Sequence, residues 1–105
     1  MWFEIVLAPD AGKALQKLPA RIRSEVRDAL ERHLRFQPTK TSKSRIKRLR
    51  GLRQPQYRLR VNDIRVFYDV TETTVEILTI IKKQEAHTWV DQEGTRGESG
   101  GAGQS

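Results

Sequence analysis

The chain has 105 residues, with 20 Lys and Arg against 13 Asp and Glu, a formal net charge of +7, and no Cys. This length supports one domain with a single core. The lack of Cys excludes a disulfide scaffold, a thiolate zinc site, an iron–sulfur cluster and a cysteine nucleophile. Its apolar runs are far shorter than the ~20 residues of a membrane span. Residues 1–7 also lack the basic leader and apolar stretch of a signal peptide. We therefore expect a soluble, cytoplasmic protein with no membrane association.

The first part of the chain predicts one strand followed by two helices. Residues 2–7 are rich in β-forming residues and read as a strand, and Asp10 is placed to cap a helix over residues 11–18. Pro19 suits the first turn of a second helix that runs from Ala20 to about Phe36. The apolar residues of that helix recur every four positions, at Ile22, Val26, Leu30 and Leu34. This spacing predicts an amphipathic helix and, with the first helix, a helical hairpin.

The middle of the chain changes from helical to extended patterning. Pro38 ends the helical pattern, and residues 39–44 are polar and turn-like. Ile46 and Leu49 then offer little burial, and Gly51 interrupts the run. Three strands follow, over residues 57–61, 64–70 and 74–81, joined by turns at Asn62-Asp63 and at residues 71–73. The order β-α-α-β-β-β predicts an α+β domain, with the helical hairpin packed on one face of an antiparallel sheet.

The end of the chain has a different composition. Residues 84–92 are compatible with one or two helical turns. From Gly94 onward the chain holds five of its seven glycines and no large apolar residue. We therefore expect a domain over residues 1–92 and a Gly-rich, disordered tail over residues 93–105.

The positive charge is concentrated in one segment. Between Arg35 and Arg65 lie eleven basic residues and the single acid Asp63, so this segment carries a formal charge of +10 while the rest of the chain carries −3. A block of one sign predicts an anionic partner, and nucleic acid is the leading class. A solvated basic loop is the alternative. The upstream residues that we expect to bind RNA are Lys43, Arg45, Lys47, Arg48, Arg50 and Arg53.

The predicted strands collect arginines on one surface. Arg58 and Arg60 are two residues apart and leave the same side of their strand, and Arg65 joins them from the next strand beside Phe67. A guanidinium group offers a fork of donors that matches a phosphate. The alternative is a row of strand residues that simply face water.

Further candidates follow the last strand, at Lys83, His87 and Trp89. Histidine exchanges protons near neutral pH, and tryptophan can stack on a nucleobase. Alternatively, Trp89 seals the core and His87 faces solvent. The chain has no Gly-rich nucleotide-binding motif, and its two His residues fall in different predicted elements. We therefore expect neither a metal nor an organic cofactor.

The segments Leu49–Leu52 and Tyr57–Tyr68 read LRGL and YRLRVNDIRVFY. They resemble the RelE/ParE superfamily of bacterial toxins, and the resemblance extends over residues 2–92. The RelE branch is the most similar. Its members are ribosome-dependent endoribonucleases that pair with an antitoxin.

That resemblance implies cleavage of mRNA by attack of the ribose 2′-OH on the adjacent phosphate. The implied catalytic residues are Arg58, Arg60, Arg65, Lys83 and His87, with Arg65 as the main phosphate clamp. Trp89 stands where many relatives carry a tyrosine that stacks on the base, and a Trp cannot supply a phenol. Arginine is also a poor general base, because its pKa exceeds ~12.

The resemblance also implies partners, namely a RelB-like or Phd/YefM-like cognate antitoxin, the ribosome and mRNA. Two other functions stay open at this point. One is a ParE-like toxin that inhibits DNA gyrase without cutting nucleic acid, and the other is a basic nucleic-acid-binding module with no activity.

Overall fold

A five-stranded sheet organises the computed structural model, which describes residues 1–96. The strands of the described residues are β1 Glu4–Leu7, β2 Ile46–Arg48, β3 Leu52–Gln54, β4 Tyr57–Val61, β5 Ile64–Val70, β6 Thr74–Lys82 and β7 Thr95–Arg96. The strand order of the five-stranded sheet is β1-β6-β5-β4-β2, with β1 parallel to β6 and the other neighbours antiparallel. A second, two-stranded sheet pairs β3 with β7. The α+β class and the β4-β5-β6 meander are confirmed.

Three α-helices complete the described part of the chain, α1 Pro9–Lys17, α2 Ala20–Ala29 and α3 Lys83–Glu93. Pro9 opens α1 after an extended Ala8, so Asp10 lies inside the first turn, and the prediction that it caps the helix is wrong. The second helix continues past Ala29 as a π-helical turn, Leu30–Leu34. Each helix of residues 1–96 is too short or too polar to cross a lipid bilayer.

The core lies between the α1–α2 hairpin and one face of the sheet. On that face Leu59, Val66 and Ile77 are fully buried, as strand alternation predicts. The helices contribute a buried stripe from the predicted four-residue step and its extension into α1: Ala11, Leu15, Val26, Leu30 and Leu34. Tyr68 joins this core, and its hydroxyl donates a hydrogen bond of 2.7 Å to the carbonyl of Pro38. That bond ties the segment after the π-helical turn to the central strand.

Two short strands, β2 and β3, lie between the predicted turn-like segment and β4, where the sequence pattern predicted none. Ile46 is buried in β2 and lies opposite Leu59, so the expectation that it offers little burial is wrong. Strand β2 has three residues, two of them charged, which is too short for an alternation of apolar and polar residues to be recognised. It forms because the edge of β4 is open for pairing. Residues 93–96, assigned to the tail, include the last residue of α3 and the short strand β7. The rest of the predicted tail lies outside the described residues.

Candidate anion-binding face

The second face of the sheet carries the arginines. In the β4–β5 register Arg60 lies opposite Arg65 and Arg58 lies opposite Phe67, and in the β2–β4 register Lys47 lies opposite Arg58. Directly opposite residues share a face, so these side chains form one surface, as predicted for the arginines and Phe67. We call Arg58, Arg60 and Arg65 the arginine face.

Arg65 is the most enclosed member, with only 7% of its surface exposed. Its Nη1 donates to the backbone carbonyls of Asn62 at 2.8 Å and Ile64 at 3.1 Å. Asn62 has a positive φ of 53°, a conformation that Asn tolerates in tight hairpin turns. Burial and the charge of Arg60 lower the pKa of Arg65, and Asp63 opposes them. Arg65 therefore braces the β4–β5 turn as well as contributing its charge.

Arg58 is half-buried, and its Nε is buried with no hydrogen-bond partner. Burial, followed by the charges of Arg65 and Arg60, lowers the pKa of Arg58. Within residues 1–96 no carboxylate lies within ion-pair distance of the arginine face. Arg60 is exposed and open to solvent. Three like charges with an unsatisfied donor are a surface that an anion would stabilise.

Helix α3 packs against the same face. The ring of Trp89 stacks on Phe67, with centroids 5.2 Å apart and planes at 19°. The helix begins where the Lys83 amide donates a 2.7 Å hydrogen bond to the carbonyl of Asp63, in the turn that Arg65 braces. Trp89 therefore packs on Phe67, on the face of the sheet opposite the core, instead of sealing the core. Helix α3 thereby covers the Phe67 end of the arginine face.

Lys83 and His87 lie on the outer side of α3, one turn apart. The His87 side chain is 89% exposed, and its Nε2 lies 3.4 Å from a carboxylate oxygen of Asp91. Lys83 is exposed at the start of the helix. The structure therefore brings the three arginines together, and it places His87 in an exposed pair with Asp91 instead of in contact with them.

The other predicted RNA-binding residues do not share one surface. Lys47 adjoins the arginine face, whereas Arg48 lies in register with the core-facing Tyr57 and holds its guanidinium 5.1 Å from that ring. Lys43 and Arg50 are exposed in connecting segments, Arg53 is exposed on β3, and Arg45 lines a separate cavity. The +10 segment is thus contiguous in sequence but wraps around the β2 edge of the sheet.

Sequence reasoning missed the side chains that support this edge. The Asp69 carboxylate accepts hydrogen bonds from the Gln56 amide at 2.8 Å and from the Gln54 side chain at 2.5 Å. The Gln56 side-chain oxygen accepts from the Val70 amide at 2.9 Å. These bonds fix the β3–β4 connection against β5. The only signal in the sequence was a pair of glutamines around Pro55.

Comparison with known proteins places this architecture among small toxins. The family model for the ParE toxin of type II toxin–antitoxin systems matches residues 5–87. Because this match covers most of the chain, the chain belongs to the RelE/ParE superfamily, as a toxin of a type II toxin–antitoxin system. No curated protein matches the sequence significantly.

Solved structures with similar folds are toxin–antitoxin complexes. The RelBE2 complex of Mycobacterium tuberculosis has 26% identity and a TM-score of 0.60, and the match covers 78% of this chain and 99% of that one. The archaeal RelE–RelB complex of Pyrococcus horikoshii has 30% identity and a TM-score of 0.57, covering 79% and 97%. The RelB–RelE complex of Methanococcus jannaschii, at 20% identity, TM-score 0.59 and coverage of 80% and 96%, supports the fold alone.

Proposed function

We propose that this toxin is a ribosome-dependent endoribonuclease that cuts mRNA. The observation that carries the proposal is the arginine face, which unites three guanidinium groups with no ion-paired carboxylate in the described residues and leaves the Arg58 Nε unsatisfied. A scissile phosphate supplies the missing negative charge and hydrogen-bond acceptors. The likeness to RelE chains at 26% and 30% identity supports this branch of the superfamily.

The reaction is a transfer within the RNA strand. The ribose 2′-oxygen forms a bond to the adjacent phosphorus, the bond from phosphorus to the 5′-oxygen breaks, and a 2′,3′-cyclic phosphate remains. Arg58, Arg60 and Arg65 stabilise the charge that grows on the phosphorane oxygens. Arg65, braced by the turn carbonyls, holds the least mobile of the three charges.

Proton transfer needs a group other than arginine, because arginine stays protonated. Lys83 and His87 are the candidates of this chain, and an Asp91 carboxylate oxygen lies 3.4 Å from the His87 Nε2. We assign His87 to the transfer of a proton between the 2′-OH and the leaving 5′-oxygen, and Lys83 to charge stabilisation. His87→Ala should lower cleavage at least ~100-fold, the usual contribution of an acid–base group, while ribosome binding persists.

A cognate antitoxin is the second partner. Two solved relatives that share at least a quarter of their residues with this chain are complexes that contain RelB, which favours a RelB-like antitoxin over a Phd/YefM-like one. We expect this antitoxin to carry acidic side chains that reach the arginine face and compensate its positive charge.

A gyrase inhibitor of the ParE type is the second candidate function. It is favoured by the exposed position of His87, outside the arginine cluster, and by Trp89 at the position of the tyrosine in relatives. Such a toxin would use the same basic surface to bind its target and would have no need of a general base.

A purified translation system decides between these candidates. We expect the toxin to truncate ribosome-bound mRNA, with cyclic phosphate ends, and Arg60→Gln to reduce the cleavage rate at least ~100-fold, because one transition-state donor is worth that much. Arg27→Gln removes an exposed charge on α2 and serves as the control, which should cleave normally. Intact mRNA with blocked DNA supercoiling would instead establish gyrase inhibition. RNA binding with neither effect would leave a non-catalytic binding module.

A further inference from the structure

A second basic cluster lies outside the arginine face. Where the π-helical turn meets the following loop, the surface encloses a cavity of about 230 Å³. Four of its lining side chains carry basic nitrogens, Arg32, His33, Lys40 and Arg45, and the others are Gln37, Thr41, Ser42 and Ile46. No carboxylate-bearing residue is among them. Arg32 is also paired with Asp28, whose carboxylate lies 3.3 Å from its Nη2 on the exposed side of the helix.

The loop that carries half of this cluster is held by a local network. The Ser42 hydroxyl oxygen accepts hydrogen bonds from the amides of Arg45 at 2.9 Å and Ile46 at 3.2 Å. The Ser42 amide donates to the Ile46 carbonyl at 2.9 Å, and Ile46 is anchored in the core. The backbone position from which Arg45 reaches the cavity is therefore fixed before any ligand arrives, which reduces the entropy cost of binding.

The charges of the cluster converge on one imidazole. His33 is partly buried, and burial followed by the charges of Arg45 and Arg32 lowers its pKa. Arg32 precedes it on the π-helical turn, whereas Lys40 and Arg45 approach from the loop. The pKa of His33 therefore reports the positive potential inside this cavity. An anion bound there raises this pKa, because it favours the protonated imidazole.

We propose that this cavity is a binding site for a phosphate group, held by the side chains of Arg32, His33, Lys40 and Arg45. The hydroxyls of Thr41 and Ser42 add hydrogen-bond donors at its rim. Its volume is below the ~300–1,000 Å³ of ordinary small-molecule sites, so it accommodates a phosphate with a few waters. The phosphate belongs either to an RNA backbone or to a free phosphate ion, since both present the same oxygens.

The position of the site connects it to the arginine face without depending on it. The Arg60 amide donates a 2.9 Å hydrogen bond to the Arg45 carbonyl, so the cavity lies beside the outer end of β2. An RNA strand that crosses the arginine face can continue around this edge into the cavity. Phosphate binding itself requires neither cleavage nor the ribosome, so the two proposals can fail separately.

The test uses the imidazole signals of the full chain, which has only two His residues, His33 and His87. The pKa of His33 is measured by NMR with and without inorganic phosphate, at ionic strength matched with chloride. Phosphate should raise the pKa of His33 by roughly half a unit or more, because bound anion favours the protonated ring. A short oligouridine, used as a second ligand, distinguishes the two sources of phosphate. If oligouridine shifts the pKa of His33 at a far lower concentration than inorganic phosphate does, the ligand is an RNA backbone. If both act at the same concentration, the ligand is a free phosphate ion.

Two variants give the result its specificity. Arg45→Gln and Lys40→Gln should each abolish most of the phosphate-induced shift, whereas the matched Arg27→Gln should keep it. The proposal is overturned if neither ligand moves His33, or if the shift survives in both cavity variants. If the unaltered toxin leaves mRNA intact in the translation system while phosphate still shifts the pKa of His33, only the proposed nuclease activity is refuted.

Discussion

The two faces of the main sheet use the same strands in opposite ways. On one face Leu59, Val66 and Ile77 lie under the α1–α2 hairpin with essentially no exposure, and the buried Tyr68 hydroxyl has its partner. On the other face the alternate residues include three arginines, one of which buries an unsatisfied nitrogen. The first face gains stability from burial, and the second gives up stability to concentrate charge.

This difference separates the face that folding explains from the face that folding alone does not explain. A fold gains nothing from three neighbouring guanidinium groups without counter-charge, since desolvation and repulsion both disfavour them. Natural sequences depart from the rules of stability mainly at functional sites. The arginine face is such a departure, and α3 compensates in part by burying Phe67 beneath Trp89.

The largest effect is expected from the core face. Leu59→Ala removes a fully buried side chain opposite Ile46 and Val66, and should lower the free energy of unfolding by about 2–5 kcal/mol because a cavity remains. Leu7→Ala, at a position 38% exposed, is the matched control and should cost clearly less. Chemical denaturation measures both. Equal losses would mean that burial does not distinguish the two positions.

A smaller loss is expected at the polar member of the core. Tyr68→Phe keeps the ring that stacks 5.5 Å from Tyr57 but leaves the buried Pro38 carbonyl without its donor. The cost of an unsatisfied buried group predicts a loss of about 1–3 kcal/mol. Tyr57→Phe is the control, because the Tyr57 hydroxyl makes no hydrogen bond within residues 1–96. An unchanged denaturation midpoint in Tyr68→Phe would show that water replaces the lost donor.

Both faces were predictable from the sequence where a local period exists. The alternation around Leu59 places Arg58 and Arg60 together, and the turn at Asn62 sets the register that adds Arg65. Strand β2 was not predictable, because its only signal is one apolar residue, Ile46, in a basic run. Its pairing depends on an open edge of β4, which is a property of the assembled sheet.

The contacts that define the site are mostly non-local and therefore escaped prediction. The burial of Arg65 depends on carbonyls presented by the turn, and the packing of Trp89 depends on Phe67 more than twenty positions earlier. The pair His87 and Asp91 does have a readable four-residue spacing. It was missed because the helix was predicted as one or two turns, whereas α3 extends over 11 residues.

The smallest and most informative change is one that removes charge from the arginine face. Arg58→Met keeps the apolar stem of the side chain while deleting the unsatisfied Nε and one of three like charges. We expect the free energy of unfolding to rise by about 1 kcal/mol, the scale of one unsatisfied donor, while affinity for RNA falls. Added salt should stabilise the parent more than the variant, because it screens the repulsion that Arg58 shares with Arg60 and Arg65. Arg27→Met, on an exposed helix surface, should stay within about 0.5 kcal/mol of the parent. A loss of stability in Arg58→Met would mean that attractive contacts hold this arginine in the fold. The inference that the arginine face lowers the stability of the fold would then be wrong.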